Sequence, residues 1–298
     1  MNNREWTTEM KQKIMKNPRT IFLFARNEDR DNHNLQSLKK INSSNNPVAI
    51  VKSITEGTCG SRRNEHFDEA RNPSKTHICV GSKVSLVGVN IKPEWGLYHG
   101  TIGKVVDIVY ENSKGPHHEG TAQERLPEYV MVDFPQYCGP NMYANDKSIT
   151  SEEREKRKTW VAVPMIESRC KNNMCKRLYM PLALAFAKSI HSFQGATVGS
   201  TAPGRPENAF LHIVADPGTR KFESTTNGLF YTLLSRVTTI GDMKDLTTSA
   251  IFFIGDNMNR DRIKKINRKK CGAEFGEYYE YVKLLHKWVE YLDCNAMN

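Results

Sequence analysis

The apolar positions of this 298-residue chain change their period twice. Near the start, Ile21-Phe-Leu-Phe24 is a continuous apolar run of strand length, after which Leu35, Leu38 and Ile41 recur at helical spacing before the turn cluster Asn42-Ser-Ser-Asn-Asn-Pro47. That order predicts a buried strand and an amphipathic helix. Val48-Ala-Ile-Val51 predicts another strand. Beyond a polar stretch from Cys59 to Pro73, the pattern becomes one of separated β segments: Val84 to Val89, Gly103 to Tyr110, Tyr129 to Phe134, and Trp160 to Ile166. With glycine and proline turns between them, they fit a small barrel better than alternating β and α units.

From Pro181 the first pattern returns. Pro181-Leu-Ala-Leu-Ala-Phe-Ala187 reads as one buried strand delivering a polar loop, Leu211-His-Ile-Val-Ala215 and Ala250-Ile-Phe-Phe-Ile254 as further strands. Between them Leu229, Phe230, Leu233, Leu234 and Val237 recur at roughly helical spacing, which leaves Ser235 and Arg236 on another face of the expected helix. A basic run from Arg260 to Lys270 precedes Tyr281, Leu284, Leu285, Trp288 and Leu292, an apolar stripe of helical period whose expected role is docking. The basic run is read as a solvated helical face, with a nucleic-acid contact or import signal as the alternatives. The whole is an α/β lobe interrupted by an all-β insertion.

Charge narrows the partners. The formal net charge of +10 favours an acidic polymer, and nucleic acid is the simplest one. No apolar run reaches the roughly 18 residues that span a bilayer, and Met1-Asn-Asn-Arg-Glu-Trp6 lacks the apolar core of a secretory signal, so an intracellular protein with no membrane partner is expected. Seven cysteines at irregular positions form no disulfide framework. Cys170 and Cys175 are the closest pair, but the Cys-x-x-x-x-Cys spacing lacks a convincing second half even with His117 and His118 considered, so reduced thiols and no metal are expected.

Two runs carry the chemistry: Ser189-Ile-His-Ser-Phe-Gln-Gly195, and Tyr231-Thr-Leu-Leu-Ser-Arg-Val-Thr238 about forty residues later. Their order and spacing resemble motifs V and VI of superfamily-one DNA helicases of the Pif/RecD group. Gly81-Ser-Lys-Val-Ser-Leu-Val-Gly-Val-Asn90 with Gly96-Leu-Tyr-His-Gly-Thr-Ile-Gly103 resembles the family's glycine-rich lead-in to an inserted barrel, and Phe22 to Asn34 is similar to its motif IV region. The chain departs from the family at Ser192, where lysine is common, at Phe193, often a small residue, and at His99, usually asparagine; the stretch Gly199 to Asn208 is longer.

The resemblance implies the fold class and its boundaries: a RecA-like second motor lobe of P-loop NTPase type over 1–80 and 178–258, an SH3-like barrel over 81–177, and a basic, aromatic helical tail over 259–298. It also implies roles. Arg236 would be the catalytic arginine that reaches the γ-phosphate, the alternative being a helix-surface arginine paired with a neighbouring acid. Gln194 and Gly195 would face nucleotide, glycine by close backbone approach and glutamine through its amide, the alternative being a plain tight turn. Ser189 and His191, assisted by Thr197, would hold the phosphates of a single strand, with Asn27 and Arg26 weaker candidates for the same strand.

No Gly-x-x-x-x-Gly-Lys-[Ser/Thr] loop occurs: around Gly103-Lys104, Tyr98 stands where the first glycine would be needed and Val105 where the hydroxyl would be. Asp68-Glu69 sits in a polar stretch rather than at the end of an apolar strand, so it reads as a solvated loop and not as a Walker B acid pair. ATP with Mg2+ is thus expected as the cofactor of a complete motor, little turnover from this chain alone, single-stranded DNA as partner, and a separate polypeptide as one possible source of the first lobe. The family's 5'–3' unwinding, its part in DNA repair, recombination and telomere maintenance, and a nuclear or mitochondrial location are implied by resemblance. The competing expectation is a catalytically inactive single-strand-binding or partner-docking module.

Overall fold

A computed structural model describes residues 8–57, 67, 72–121, 124–170, 174–193, 198, 210–219, 229–237 and 250–254. The elements in chain order are α1 (Thr8–Lys16), β1 (Thr20–Phe24), α2 (Asn27–Ile41), β2 (Ala49–Lys52), β3 (Ile54–Gly57), β4 (Lys75–Ile78), β5 (Lys83–Leu86), β6 (Ile102–Val109) and β7 (Tyr129–Asp133). There follow α3 (Ser151–Lys156), β8 (Trp160–Pro164), β9 (Ile166–Arg169), β10 (Cys175–Tyr179), β11 (Leu182–Leu184), β12 (Ala187–Ser189), β13 (His212–Asp216), α4 (Leu229–Leu234) and β14 (Ala250–Phe253). They group into two compact units, one of residues 1–26, 189–198 and 211–298, the other of 27–188 and 199–210.

The first unit is built on a sheet of order β12-β1-β13-β14, to which β12 brings Ser189. β1, β13 and β14 run parallel, with Thr20 opposite His212 and His212 opposite Ala250. Every residue of β1 is buried, as are the first four of β13, which is why both read as unbroken apolar runs rather than alternating ones. Parallel strands joined through helices make this a mixed α/β fold, as expected.

The second unit holds the antiparallel strands. Its five-stranded sheet has the order β11-β5-β6-β7-β8, beside a three-stranded sheet β3-β10-β9 and the pair β2-β4. Alternation along β7, where Val130 and Val132 are fully buried between half-exposed neighbours, sends one face inward. The core they enter also takes Val84, Leu86, Val105, Val163 and Leu182, together with Ala49, Val51, Ile78, Phe134 and Met180 from segments flanking the five strands. Gly96 turns the chain with φ +78°, and a Cβ there would lie 2.3 Å from the Gln136 carbonyl oxygen, so both conformation and space require glycine.

Several expectations need correcting. The run 181–187 is two strands: β11 pairs with β5, the chain leaves that sheet at Ala185, whose N–H donates to Lys83 O, and β12 then begins. The segment 160–166 likewise divides, because β8 pairs with β7 while Ile166 opens β9 against β10. The helix over 229–237 ends at Leu234, and Ser235 and Arg236 lie in the tight turn that follows. On α2, Leu35 is exposed and Asn34 is buried in its place beside Leu38. Lastly, Cys175 is disulfide-bonded, whereas Cys79, Cys138 and Cys170 are outside any disulfide. Spacing along the chain says nothing of a partner that folding brings close, and on that criterion Cys175 was expected reduced. Gln194, Gly195, Thr197, the Asp68-Glu69 pair, the stretch 199–208 and the tail 259–298 lie outside the described residues.

Candidate functional site

In open parallel sheets, ligand-contacting side chains collect beyond the carboxyl ends of the strands. The run from Ser189 is at such an end: Ile190 N–H donates to the carbonyl of Phe24, the last residue of β1, at 3.0 Å. Past Ser189 the backbone tightens into a single 3-10 turn, His191–Phe193. Phe193 N–H donates to Ile190 O at 3.2 Å, Ser192 N–H to Ser189 Oγ at 3.3 Å, and Ser192 Oγ–H to Ser189 O at 2.9 Å. Ile190 and Phe193 are buried while His191 and Ser192 are exposed. Phenylalanine at 193 therefore anchors the turn from below, and the turn displays one imidazole and one hydroxyl. Ser189 itself is mostly covered, its oxygen engaged by the Ser192 amide.

The second run meets the chain just after the first. Arg236 O accepts from Val198 N–H at 2.7 Å, and Val198 pairs with Val237 in a parallel bridge. The α4 helix terminates in i→i+3 bonds, Ser235 Oγ–H to Thr232 O at 2.9 Å and Arg236 N–H to Leu233 O at 3.2 Å, which is the local reason the helix stops before the arginine. The half-buried guanidinium folds back on this turn: Nε donates to Thr232 O at 3.1 Å, and Nη2 to Ser235 Oγ at 2.8 Å. Ser235 thus orients Arg236, giving that serine a definite role in the Leu-Ser-Arg sequence. The guanidinium is held in one plane at a fixed place, suited to meeting a phosphate oxygen.

Asn27 opens α2 and belongs to the second unit. Its Oδ1 accepts from Arg30 Nη1 at 2.9 Å, and Arg30 forms a two-pronged pair with Asp31 at 2.8 and 2.9 Å. Arg26 and Asn27 are both exposed.

Two positioning residues were missed in the sequence reading. The Asn34 amide pairs with the backbone of Ala187 in both directions, Nδ2 donating to Ala187 O at 3.1 Å and Oδ1 accepting from Ala187 N–H at 2.8 Å, as a neighbouring strand would. The next residue, Lys188, is buried and donates from Nζ to Gly100 O at 2.9 Å, inside the glycine-rich turn. Burial, with the nearby Arg30 charge, pushes this amine down to about 8. A polar residue in a helix stripe and a lysine after an apolar run read as surface, so neither had a signal in composition. The signal lay in the bracketing motif. Among the described residues no group of three or more His, Cys, Asp or Glu side chains is arranged to hold a metal.

No protein-family profile matches the sequence, and no curated protein matches it either. Solved structures do. What they define first is a class: the fold of a helicase, a mixed α/β chain with a parallel sheet. The Pif1 helicase from Candida albicans superposes with a TM-score of 0.54 at 19% identity, over 89% of this chain and 49% of that one. Two coordinating Pif1 helicases described for the unwinding of forked double-stranded DNA give 0.48 at 15%, covering 87% and 46%. Bacteroides Pif1 bound to single-stranded DNA gives 0.45 at 14%, covering 82% and 42%. At such identities the likeness is one of fold, and the chain spans about half the length of these structures.

Proposed function

We propose that this chain is the second motor lobe, with its insertion, of a Pif-like ATP-dependent DNA helicase that translocates 5'–3' on single-stranded DNA. One observation carries the reading: the turn displaying His191 follows β12 and bonds through Ile190 to the last residue of β1, and Val198, soon after it in sequence, donates its N–H to the Arg236 carbonyl. The motif order and the helicase fold support it. In this reading 1–80 with 178–258 form the RecA-like lobe, 81–177 the SH3-like barrel and 259–298 a docking tail. ATP with Mg2+ supplies the phosphoryl-transfer chemistry when bound between lobes. The groups here that fit it are the Arg236 guanidinium and, by motif, Gln194 and Gly195; the phosphate-cradling loop and the magnesium ligands belong to the first lobe. Ser189, His191, Thr197 and Asn27 would contact the strand. The location would be nuclear or mitochondrial.

A second reading, an inactive single-strand-binding or partner-docking module, draws on the guanidinium being engaged by its own turn. Anisotropy of a labelled oligothymidylate tests the interface common to both. Binding should weaken steeply with salt, since displaced counterions drive it, and His191→Ala should weaken it by roughly tenfold at fixed salt, about the contribution of one phosphate contact. Absence of binding at low salt by a folded chain would sink both readings.

A further inference from the structure

The outer face of β7 and β8 carries a group that the helicase motifs do not use. Val130, Val132 and Val163 turn into the core, so alternation puts Met131, Trp160 and Ala162 on the opposite face, with Met131 beside Ala162 in the register. The segment joining the two strands folds back over them. The Tyr143 hydroxyl donates to Met131 Sδ at 3.7 Å, and its ring meets the Trp160 ring edge-on, with centroids 6.3 Å apart and planes at 90°.

Local structure brings a cation into this corner. α3 stops at Lys156; Arg157 N–H donates to Glu153 O at 3.0 Å and Arg157 O accepts from Trp160 N–H at 2.9 Å, a tight turn that sets residues 157 and 160 side by side. The guanidinium of Arg157 lies 5.0 Å from the centre of the Trp160 ring and 5.5 Å from that of Tyr143. Its Nε donates to Glu153 Oε1 at 2.8 Å, and that bond holds the Glu153 carboxyl below its ordinary range, so the anchor stays charged. Two rings and a carboxylate thus fix the guanidinium plane. Nη1 and Nη2 have no hydrogen-bond partner among the described residues and are not sealed from solvent, the side chain being 29% exposed. A guanidinium gripped by one edge presents the other as a two-pronged donor for a carboxylate or a phosphate.

The surroundings favour the carboxylate. Residues 146–158 hold five cations and four acids, and the cations are already drawn on: Glu153 takes Arg157 and Lys156, and Glu155 takes Lys158. A nucleic-acid strand calls for a positive track along several phosphates, whereas this patch offers one open fork in a nearly neutral setting. Beside the fork the surface is apolar and aromatic: Tyr143 and Trp160 are half-buried, Ala162 is exposed, and Met142, next to Tyr143 in the chain, is 71% exposed. Tyrosine, tryptophan, methionine and arginine are the residues enriched where proteins dock on proteins. We propose that this face docks a partner protein through a segment that presents an aspartate or glutamate carboxylate to Arg157 and a neighbouring apolar side chain to Tyr143 and Trp160. The carboxylate sets the orientation, and the apolar side chain supplies buried area. Such a surface would serve a motor and a binding module alike, so the inference is independent of the function proposed above.

The test is selection from a library of random peptides displayed on phage, with the full chain as bait and its Arg157→Ala variant as the counter-selected surface. Surviving peptides should carry Asp or Glu within two residues of a large apolar side chain. In titrations of the best of them, Arg157→Ala should weaken binding by roughly thirtyfold, the scale of an arginine central to an interface. Arg157→Lys keeps the charge, loses the fork, and should cost nearly as much. Changing the peptide's acid to its amide should cost the same on the wild-type chain and almost nothing more on Arg157→Ala, since the two groups form one contact. Should a variant at 157 fail to fold, Ala162→Arg, at an exposed position of the same face, should abolish peptide binding. No enrichment over the counter-selected surface would overturn the proposal, as would full affinity in Arg157→Lys, in Ala162→Arg or for the amide peptide. Displacement of the peptide by oligothymidylate would hand the fork to phosphate and overturn it too.

Discussion

The parallel sheet of the first unit and the antiparallel sheet of the second use the same apolar residue types to different ends. In the first, β1 is buried along its whole length, the turn of His191 bonds to its last residue, and that turn and the one at Arg236 are held by a few local hydrogen bonds. In the second, inward residues such as Val132, Phe134 and Val163 join a core shared by many strands, so burial is spread across a whole face. The contrast teaches that a side chain in a turn at the end of the first sheet can be changed with little cost to folding. A side chain on the inner face of the second is the reverse.

The sharpest break in that comparison is Arg236→Ala. In a chain extended by a first lobe it should lower ATP turnover by about three to five orders of magnitude, with an unchanged denaturation midpoint for the antiparallel unit. A small effect on turnover would remove the catalytic role proposed for Arg236. Next comes Phe134→Ala, which opens a void in the second unit and should destabilise it by about 3–5 kcal/mol in urea unfolding, while oligothymidylate binding by the folded fraction is retained.

A third test uses pH. Burial brings Lys188 and Lys83 to about 8, Lys188 helped by Arg30 and Lys83 by Lys104. Between roughly 8 and the unfolded value near 10.4 the unfolded chain binds more protons at these sites, so stability should rise with pH by up to about 3 kcal/mol per lysine. Tyr110, raised by burial to about 12, acts oppositely: from about pH 10 upward the unfolded phenol loses its proton first, and stability falls. A maximum near pH 10 is the expected profile, and Lys188→Met should flatten its rising limb. The smallest effect belongs to the exposed Lys13–Glu9 pair at 2.8 Å, whose removal should leave Tm within error.

How much could be read from the sequence follows the same division. Runs such as Ile21–Phe24 and the alternation at Tyr129–Asp133 carry their strands openly, because burial on two faces or on one writes itself into residue type. β3, β9 and β10 were missed: Ile54-Thr-Glu-Gly57 and Ile166-Glu-Ser-Arg169 are half polar, and the partner of the first lies far along the chain. The end of α4 depended on a serine hydroxyl closing a turn, which helical spacing does not encode. At the candidate site, motif order gave Ser189, His191 and Arg236, whereas Lys188 and Arg177 are cations buried by contacts that only the fold creates. Arg177 stands in for this whole group: its guanidinium donates to Thr55 Oγ1 and Asn72 O, neither of them near it in sequence.

The amide of Asn34 has one more implication. It offers one donor and one acceptor, at a fixed separation, to the two backbone groups of a single residue, Ala187. Aspartate keeps the size and loses the donor, leucine keeps neither polar group, and glutamine is a methylene too long. A saturation mutagenesis scan through α2 should therefore show a broad band of tolerance around Leu35, interrupted at position 34 by a column in which one amino acid survives.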